Sequence, residues 1–391
     1  MLTSIHLERW ADLLVRYAVE VKEGQVVRIT AQPAAEPLLD AVYRAVLSAG
    51  GHPIVHVRPE CLGEAFFELA SDAQLDWQNP MAAAETELVD ATINIGANTN
   101  LRAMDSVDPA RPQRAAKANA ANRTLFFDRA AAADAPELKP ELRPLRWTTT
   151  IFPTNAYAQF AGMSLREYAD FVVSACQLNQ DDPVAFWRSL DAWQSELAAE
   201  LMSGSELHFQ SPAGTDLRVA IDGARWLSSP GCKNFPDGEV YSGPNLNATN
   251  GGVEGLVVFD QRTIYQGHAV SHARIRMEQG RATDVSAREG EAFLIAMLDQ
   301  DEGARRIGEV AFGTNRAVNR MTGQVLYDEK MGGSFHMAFG AGFPETGNSN
   351  ASALHWDLIS TLGKGSLVTL DGKPFCVDGR FINMRPEVEW L

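Results

Sequence analysis

The chain has 391 residues, more than one hydrophobic core usually supports, so two domains are expected. Hydrophobic residues make up 45% and charged residues 21%, an ordinary globular composition that argues against disorder. With 34 Lys plus Arg against 50 Asp plus Glu, the net charge of −16 removes the electrostatic basis for gripping nucleic acid or anionic lipid, and neither is expected as a partner.

The opening segment MLTSIHLERWADLL is amphipathic and carries acidic residues, unlike a signal peptide, and no apolar run reaches the roughly 20 residues that span a bilayer. A cytoplasmic protein is expected. The pattern predicts an amphipathic helix over residues 8–21 and a strand at QVVRITA. A helix over residues 36–48 follows, with Leu38, Leu39, Val42, Ala45 and Val46 on one face, and then a strand at PIVHVRP. DATINIGA and TLFFD continue the series as strands, and the alanine-rich RAAKANAANR and RAAAADAPEL read as helix and surface linker. Strands alternating with helices imply a Rossmann-like α/β domain with a mostly parallel sheet. No G-x-G-x-x-G follows the first strand, so a dinucleotide is not indicated.

Ser164 to Glu167 is an S-x-x-E capping box, and Asp182-Pro183 is a cap with a first-turn proline; each predicts a helix start. Beyond these the chain turns to short strands punctuated by Gly and Asp, at ELHFQSPAGTDLRVAI, GGVEGLVVFD, AVSHARIRMEQGRATDVSA and LVTLDGKPFCVDGRF. A boundary near Gly204 divides an α/β domain, 1–203, from a β-rich α+β domain, 204–391. Cys61, Cys176, Cys232 and Cys376 lie far apart with no C-x-x-C pair, and read as reduced, structural residues.

Chemistry concentrates in the second domain. In SALHWDL, His355 and Asp357 stand two apart in an apolar run; on a strand they share a face, with Cα atoms about 6.5 to 7 Å apart. A buried carboxylate there needs a charge or several donors to stay ionised, which a divalent cation supplies; a hydrogen-bonded His–Asp pair is the plainer alternative. NFPDGEVYSGP carries Glu239, RRIGEVAFG carries Glu309, and LYDEKMGGSFHMAFG carries Asp328, Glu329 and His336. Singly, Glu239 reads equally as a turn cap and Asp328-Glu329-Lys330 as a solvated charge run. Together, three Glu, two His and one Asp form an oxygen and nitrogen donor set without thiolate, suited to zinc, cobalt, manganese or iron. Six donors fit two ions about 3.5 to 4 Å apart better than one, and such a pair can ionise a water and polarise a carbonyl, the chemistry of amide hydrolysis. His268 and His272, four apart on a predicted strand and hence about 13 Å from each other, cannot share an ion and read as surface or packing residues, as do His6, His52, His56 and His208.

From LLVRYAVEVKEGQVVRITA through WTTTIFPTNAYAQFAGMSLREYADFV and DDPVAFWRSL to PDGEVYSGP, DEKMGGSFHMAFG and HWD, the chain resembles the M29 metallo-aminopeptidases over nearly its whole length. The resemblance implies a two-domain homodimer with an α/β N-terminal domain and a C-terminal catalytic domain, removing N-terminal residues from peptides. It implies that Glu239, Glu309, His336, His355 and Asp357 hold a dinuclear metal centre (two divalent ions, Zn, Co or Mn), with Glu329 as sixth ligand. Glu309 is read as the bridging or base-like carboxylate beside the catalytic water. One departure stands out: the family usually has tyrosine seven residues after the His of the G-G-x-x-H segment, where this chain has Phe343. Tyr241 or Tyr327 is a substitute hydroxyl. The rival reading is a ring-cleaving dioxygenase using mononuclear non-haem iron on His336, His355 and Asp357, since such a dihydroxypyridine enzyme is similar to this family in its C-terminal half. A third is a scaffold protein that binds without turnover.

Overall fold

The parallel strands expected in the first half pair in a computed structural model that describes residues 2–134, 136–137, 139–382, 384 and 388. The chain divides into two compact units, residues 1–179 with 232–235, and residues 180–231 with 236–391.

In the first unit, strands Val26–Ala31, His52–Val57, Ala91–Gly96 and Arg146–Ile151 form a parallel sheet, with His52–Val57 at one edge and the short Asn234–Phe235 at the other. Val27, Ile29, Ile93 and Ile95 are fully or almost fully buried, as the near-continuous apolar runs of a covered parallel sheet require. Helix Glu36–Ser48 begins and ends where its pattern placed it and buries Leu38, Val42 and Val46. The first helix, Ser4–Asp12, is opened by a Thr3 cap and continues as a π-helix over Leu13–Ala18.

Two expectations for this unit fail together. TLFFD is not a strand but lies inside helix Ala120–Asp134, and the first half of RAAAADAPEL, read as linker, is the end of that same helix. Alanine on both sides of the two phenylalanines gives the segment a helical preference that a five-residue apolar run cannot overturn. Burial of Arg129 also anchors it: Nε donates to the Arg143 carbonyl (2.6 Å), and Nη2 donates to those of Val89 (2.8 Å) and Pro144 (3.1 Å).

The second unit opens with helix Pro183–Met202, where the Asp182 side chain accepts from the Ala185 N–H. It then folds as two antiparallel sheets. One has eight strands, in the order Arg281–Ser286, His268–Glu278, Val253–Tyr265, Asp216–Ala220, Glu206–Gln210, Leu367–Leu370, Lys373–Val377 and Arg380–Phe381. The other has five: His355–Thr361, Ser334–Gly340, Ile307–Gly313, Glu239–Ser242 and Leu227–Ser229. The sheets meet through aromatic rings. Phe209 and Phe259 of the larger sheet pack on Phe335 of the smaller at 4.8 and 6.3 Å, and Phe209, Phe375 and Phe381 pack on Phe312 at 5.7, 6.1 and 5.4 Å. His268 stacks on Phe293 (4.2 Å) and His272 is exposed with φ 50°, so both behave as packing or surface residues.

Candidate metal centre

The five-stranded sheet has one face committed to the core, and the alternation of its strands decides what the other face carries. Val310 and Phe312, Phe335, Met337 and Phe339, and Trp356 and Leu358 lie on one side; Glu309, His336, His355 and Asp357 fall in the opposite register. Cross-strand pairing makes this a single surface. Ala338 is the partner of both Glu309 and Asp357, Ala311 of both His336 and Tyr241, Gly340 of His355, and Gly313 of Glu239. Although His336 also faces Ile359, each donor on these strands thus has a residue with little or no side chain opposite it on a neighbouring strand, which leaves room for the donors to converge. At Gly313 the restriction is strict, because a Cβ would lie 2.1 Å from the Met331 carbonyl oxygen.

The donors do converge. His336 Nε2 is 3.2 Å from Glu239 Oε2 and 3.8 Å from Glu309 Oε1, while His355 Nε2 is 3.3 Å from Glu309 Oε2 and 3.9 Å from Asp357 Oδ2. Glu329 follows the one-turn helix Val325–Asp328 and reaches the same cluster. Three sets of three donors have ligand atoms within 4.8 Å of one another: Glu239, Glu309 and His336; Glu309, His355 and Asp357; and Glu329, His336 and Asp357. All six residues singled out from the sequence are represented. Asp328 is not; its carboxylate instead accepts from the backbone N–H groups of Thr322 (2.7 Å) and Gly323 (2.8 Å) and fixes that turn.

Two buried residues beside the cluster escaped the sequence reading. Lys330, expected in a solvated charge run, is 1% exposed, with Nζ 2.5 Å from Glu239 Oε1, 2.7 Å from Glu329 Oε1 and 3.2 Å from Asp237 Oδ1. Asp237 is the second, buried just before the Gly238 turn. The only trace in sequence was the unbroken acid-acid-base triplet ahead of the Gly-Gly turn, which reads identically when it lies on a surface.

Burial shapes the titration of all these groups. For Glu309 burial works against ionisation, but hydrogen bonds from His336 and His355 outweigh it and hold the carboxyl at about 2. Burial pushes Asp237 up to about 7 and Glu329 up to about 8 despite the pull of Lys330. Lys330 and His336 move far upward and His355 to about 9, because the neighbouring carboxylates outweigh desolvation of the cations. Five carboxyl groups therefore crowd around one ammonium and two imidazoles, and two of them, Asp237 and Glu329, hold protons near neutral pH. Asp357 Oδ1 and His336 Nδ1 are buried without a hydrogen-bond partner among the described residues. Crowded buried acids that must hold protons, beside orphaned polar atoms, are costly in a bare protein and are what a divalent cation relieves. The donor set, all oxygen and nitrogen, fits that group.

Phe343 packs against this site, its ring 5.0 Å from that of His355 and 5.8 Å, edge-on, from that of Tyr241. Tyr241 is half-buried on the donor face. Burial first, and the surrounding carboxylates second, push its phenol above the ordinary range, so it stays protonated and able to donate. Tyr327, the other hydroxyl considered, is fully buried in the one-turn helix.

Comparison with known proteins supplies the lineage. A family model described as thermophilic metalloprotease (M29) matches residues 3–381. The chain belongs to this family. Among its M29 relatives, Aminopeptidase T of Thermus thermophilus is 30% identical, the match covering 87% of this chain and 85% of that one. Aminopeptidase 2 of Geobacillus stearothermophilus is 26% identical, with 93% and 90% covered. The solved structure of wild-type AmpT from Thermus thermophilus superposes with a TM-score of 0.81 at 25% identity, covering 96% of this chain and 99% of that one. A 2,5-dihydroxypyridine dioxygenase from Pseudomonas putida KT2440 superposes at 0.58 with 12% identity, covering 98% and 99%, a likeness of fold alone.

Proposed function

We propose that this M29 protein is a metal-dependent aminopeptidase that hydrolyses the N-terminal peptide bond of peptides. The observation that carries the reading is the division of one carboxylate between two imidazoles. Glu309 Oε1 faces His336 and its Oε2 faces His355, so two of the donor triads share Glu309 and nothing else. That arrangement suits a pair of cations, zinc, cobalt or manganese, with Glu239 and His336 on one side, His355 and Asp357 on the other, and Glu309 bridging. Bound ions would supply Lewis acidity, bringing a water's pKa toward neutrality and polarising the scissile carbonyl.

The remaining work falls to the chain. Glu309, divided between the two imidazoles, would bridge the ions or act as the base that takes a proton from the attacking water and returns it to the leaving amine. Glu329 completes the donor set, with a side chain 12% exposed against 6% for Glu309, and is held by Lys330 at 2.7 Å. It would serve as the sixth ligand. Tyr241 supplies the hydroxyl that Phe343 lacks, donating to the oxyanion of the tetrahedral intermediate.

The dioxygenase alternative required His336, His355 and Asp357 to gather on one ion. No donor triad among the described residues contains both histidines, and Glu239 and Glu309 would have no part in such a site. The proposal extends to a homodimer in the cytoplasm; the four cysteines form no disulfide among the described residues, which suits a reducing compartment. Sedimentation and cell fractionation check those two points. The central test is hydrolysis of aminoacyl-nitroanilides and short peptides by protein stripped and reloaded with each metal, alongside the metal content per chain. Release of N-terminal residues with two ions bound is expected. One ion per chain with oxygen consumption, or binding of peptides without turnover across all three metals, refutes it.

A further inference from the structure

The first unit contains a cationic cleft that none of the donor residues enters. It encloses about 600 Å³ and lies over strands Val26–Ala31 and His52–Val57 and beside helices Pro80–Leu88 and Ala120–Asp134. A volume of this size accommodates a small organic molecule.

The lining is unusual for a chain of net charge −16, since it brings together Arg28, Arg58 and Arg123 with a single carboxylate, Glu85. That carboxylate is already engaged, 2.8 Å from His56 Nε2 and 3.4 Å from Arg28 Nη1. Arg58 and Arg123 have no ion-pair partner among the described residues, although Arg123 lies 5.6 Å over the Phe127 ring. Two side-chain atoms of residues in this lining, Arg28 Nε and Asn122 Oδ1, are buried without a hydrogen-bond partner among the described residues. Phe126 and Met81 give the wall an apolar part.

These features specify a ligand by its chemistry. Guanidinium forks recognise phosphate or carboxylate, and an aromatic wall recognises a flat ring. We propose that this cleft binds a small anionic ligand with a flat ring, the class represented by nucleoside monophosphates. The anion lies between Arg28, Arg58 and Arg123, and the ring lies against Phe126. No glycine-rich loop is needed, because side chains supply the donors that such a loop draws from backbone.

Calorimetry on the metal-loaded protein with AMP, adenosine and inorganic phosphate tests this. Saturable AMP binding is expected, with adenosine and phosphate each weaker by about tenfold or more. Arg58→Glu and Arg123→Glu, both at exposed positions, should each weaken AMP by about tenfold or more while leaving the melting temperature and metal content unchanged. Equal affinity for adenosine overturns the anion recognition, and equal affinity for phosphate overturns the ring recognition. AMP binding that the charge reversals do not alter places the ligand elsewhere, on the metal centre for instance, and also overturns the proposal. So does the absence of saturation up to about 1 mM.

Discussion

Replacing Lys330 with methionine keeps the length of the side chain and deletes its charge, at a position where the consequence follows from geometry. The ammonium is 1% exposed and lies 2.5 to 3.2 Å from three carboxylates, Glu239, Glu329 and Asp237. Removing one partner from a buried ionic cluster costs about 3 to 5 kcal/mol, because the remaining charges stay desolvated and unpaired. Spread over a unit of this size, that corresponds to a fall in melting temperature of roughly 6 to 20 °C for the metal-free protein. The loss should depend on pH in a definite direction. Asp237 at about 7 and Glu329 at about 8 already titrate above the ordinary carboxylate range, so their folded forms bind protons more readily than the unfolded chain. Their contribution favours the folded state at low pH and is lost as the pH rises through 7 to 8. Without the ammonium both shift further up, so the deficit of Lys330→Met is largest in alkaline buffer and shrinks on acidification. Circular dichroism melts of chelator-treated protein across that range measure it, and divalent metal should restore part of the loss. A variant that melts within about 2 °C of the parent at alkaline pH would refute the view that Lys330 compensates a buried acidic cluster.

Glu309→Gln should lower the metal content measured by elemental analysis at both positions, whereas His355→Ala should spare the ion on the Glu239–His336 side; equal losses from the two variants would contradict a bridging carboxylate. Tyr241→Phe should reduce kcat about 10²- to 10³-fold with little change in KM, the cost of one oxyanion donor, and an unchanged kcat removes Tyr241 from the mechanism. Metal binding should release protons near neutrality, because His355 at about 9 and the still more strongly raised His336 must both deprotonate to become ligands. Affinity therefore rises with pH toward 9, and titration calorimetry in buffers of different ionisation enthalpy counts the protons. Phe312→Ala, at the ring cluster joining the two sheets, should cost about 3 to 5 kcal/mol without altering metal stoichiometry in the folded protein.

The sequence by itself determined the alternation of elements in the first unit and the strand-and-turn character of the second. Both follow from periodicities that local sterics impose on any chain: 3.6 residues for Glu36–Ser48, and two for the run holding His355 and Asp357. It also determined which residues carry donor atoms, and the S-x-x-E and Asp-Pro caps marked two helix starts, because a cap is completed within four residues of chain. In TLFFD and the alanine tract after it, the helical preference of the flanking alanines outweighed the short apolar run, and Arg129 secures the helix on carbonyl groups remote in sequence. The gathering of Glu239, Glu309, His336, His355 and Asp357 on one face depended on strand register, set by which side of each strand the opposing aromatic sheet buries. The charge state of that face was likewise not written locally. Lys330 looks solvated beside its neighbours in sequence, and it becomes a buried counter-ion only because Asp237 and Glu239, more than 90 residues earlier, fold against it. Desolvation is a property of the assembled interior, so the sequence names the donors while the tertiary structure fixes their protons and their ability to act together.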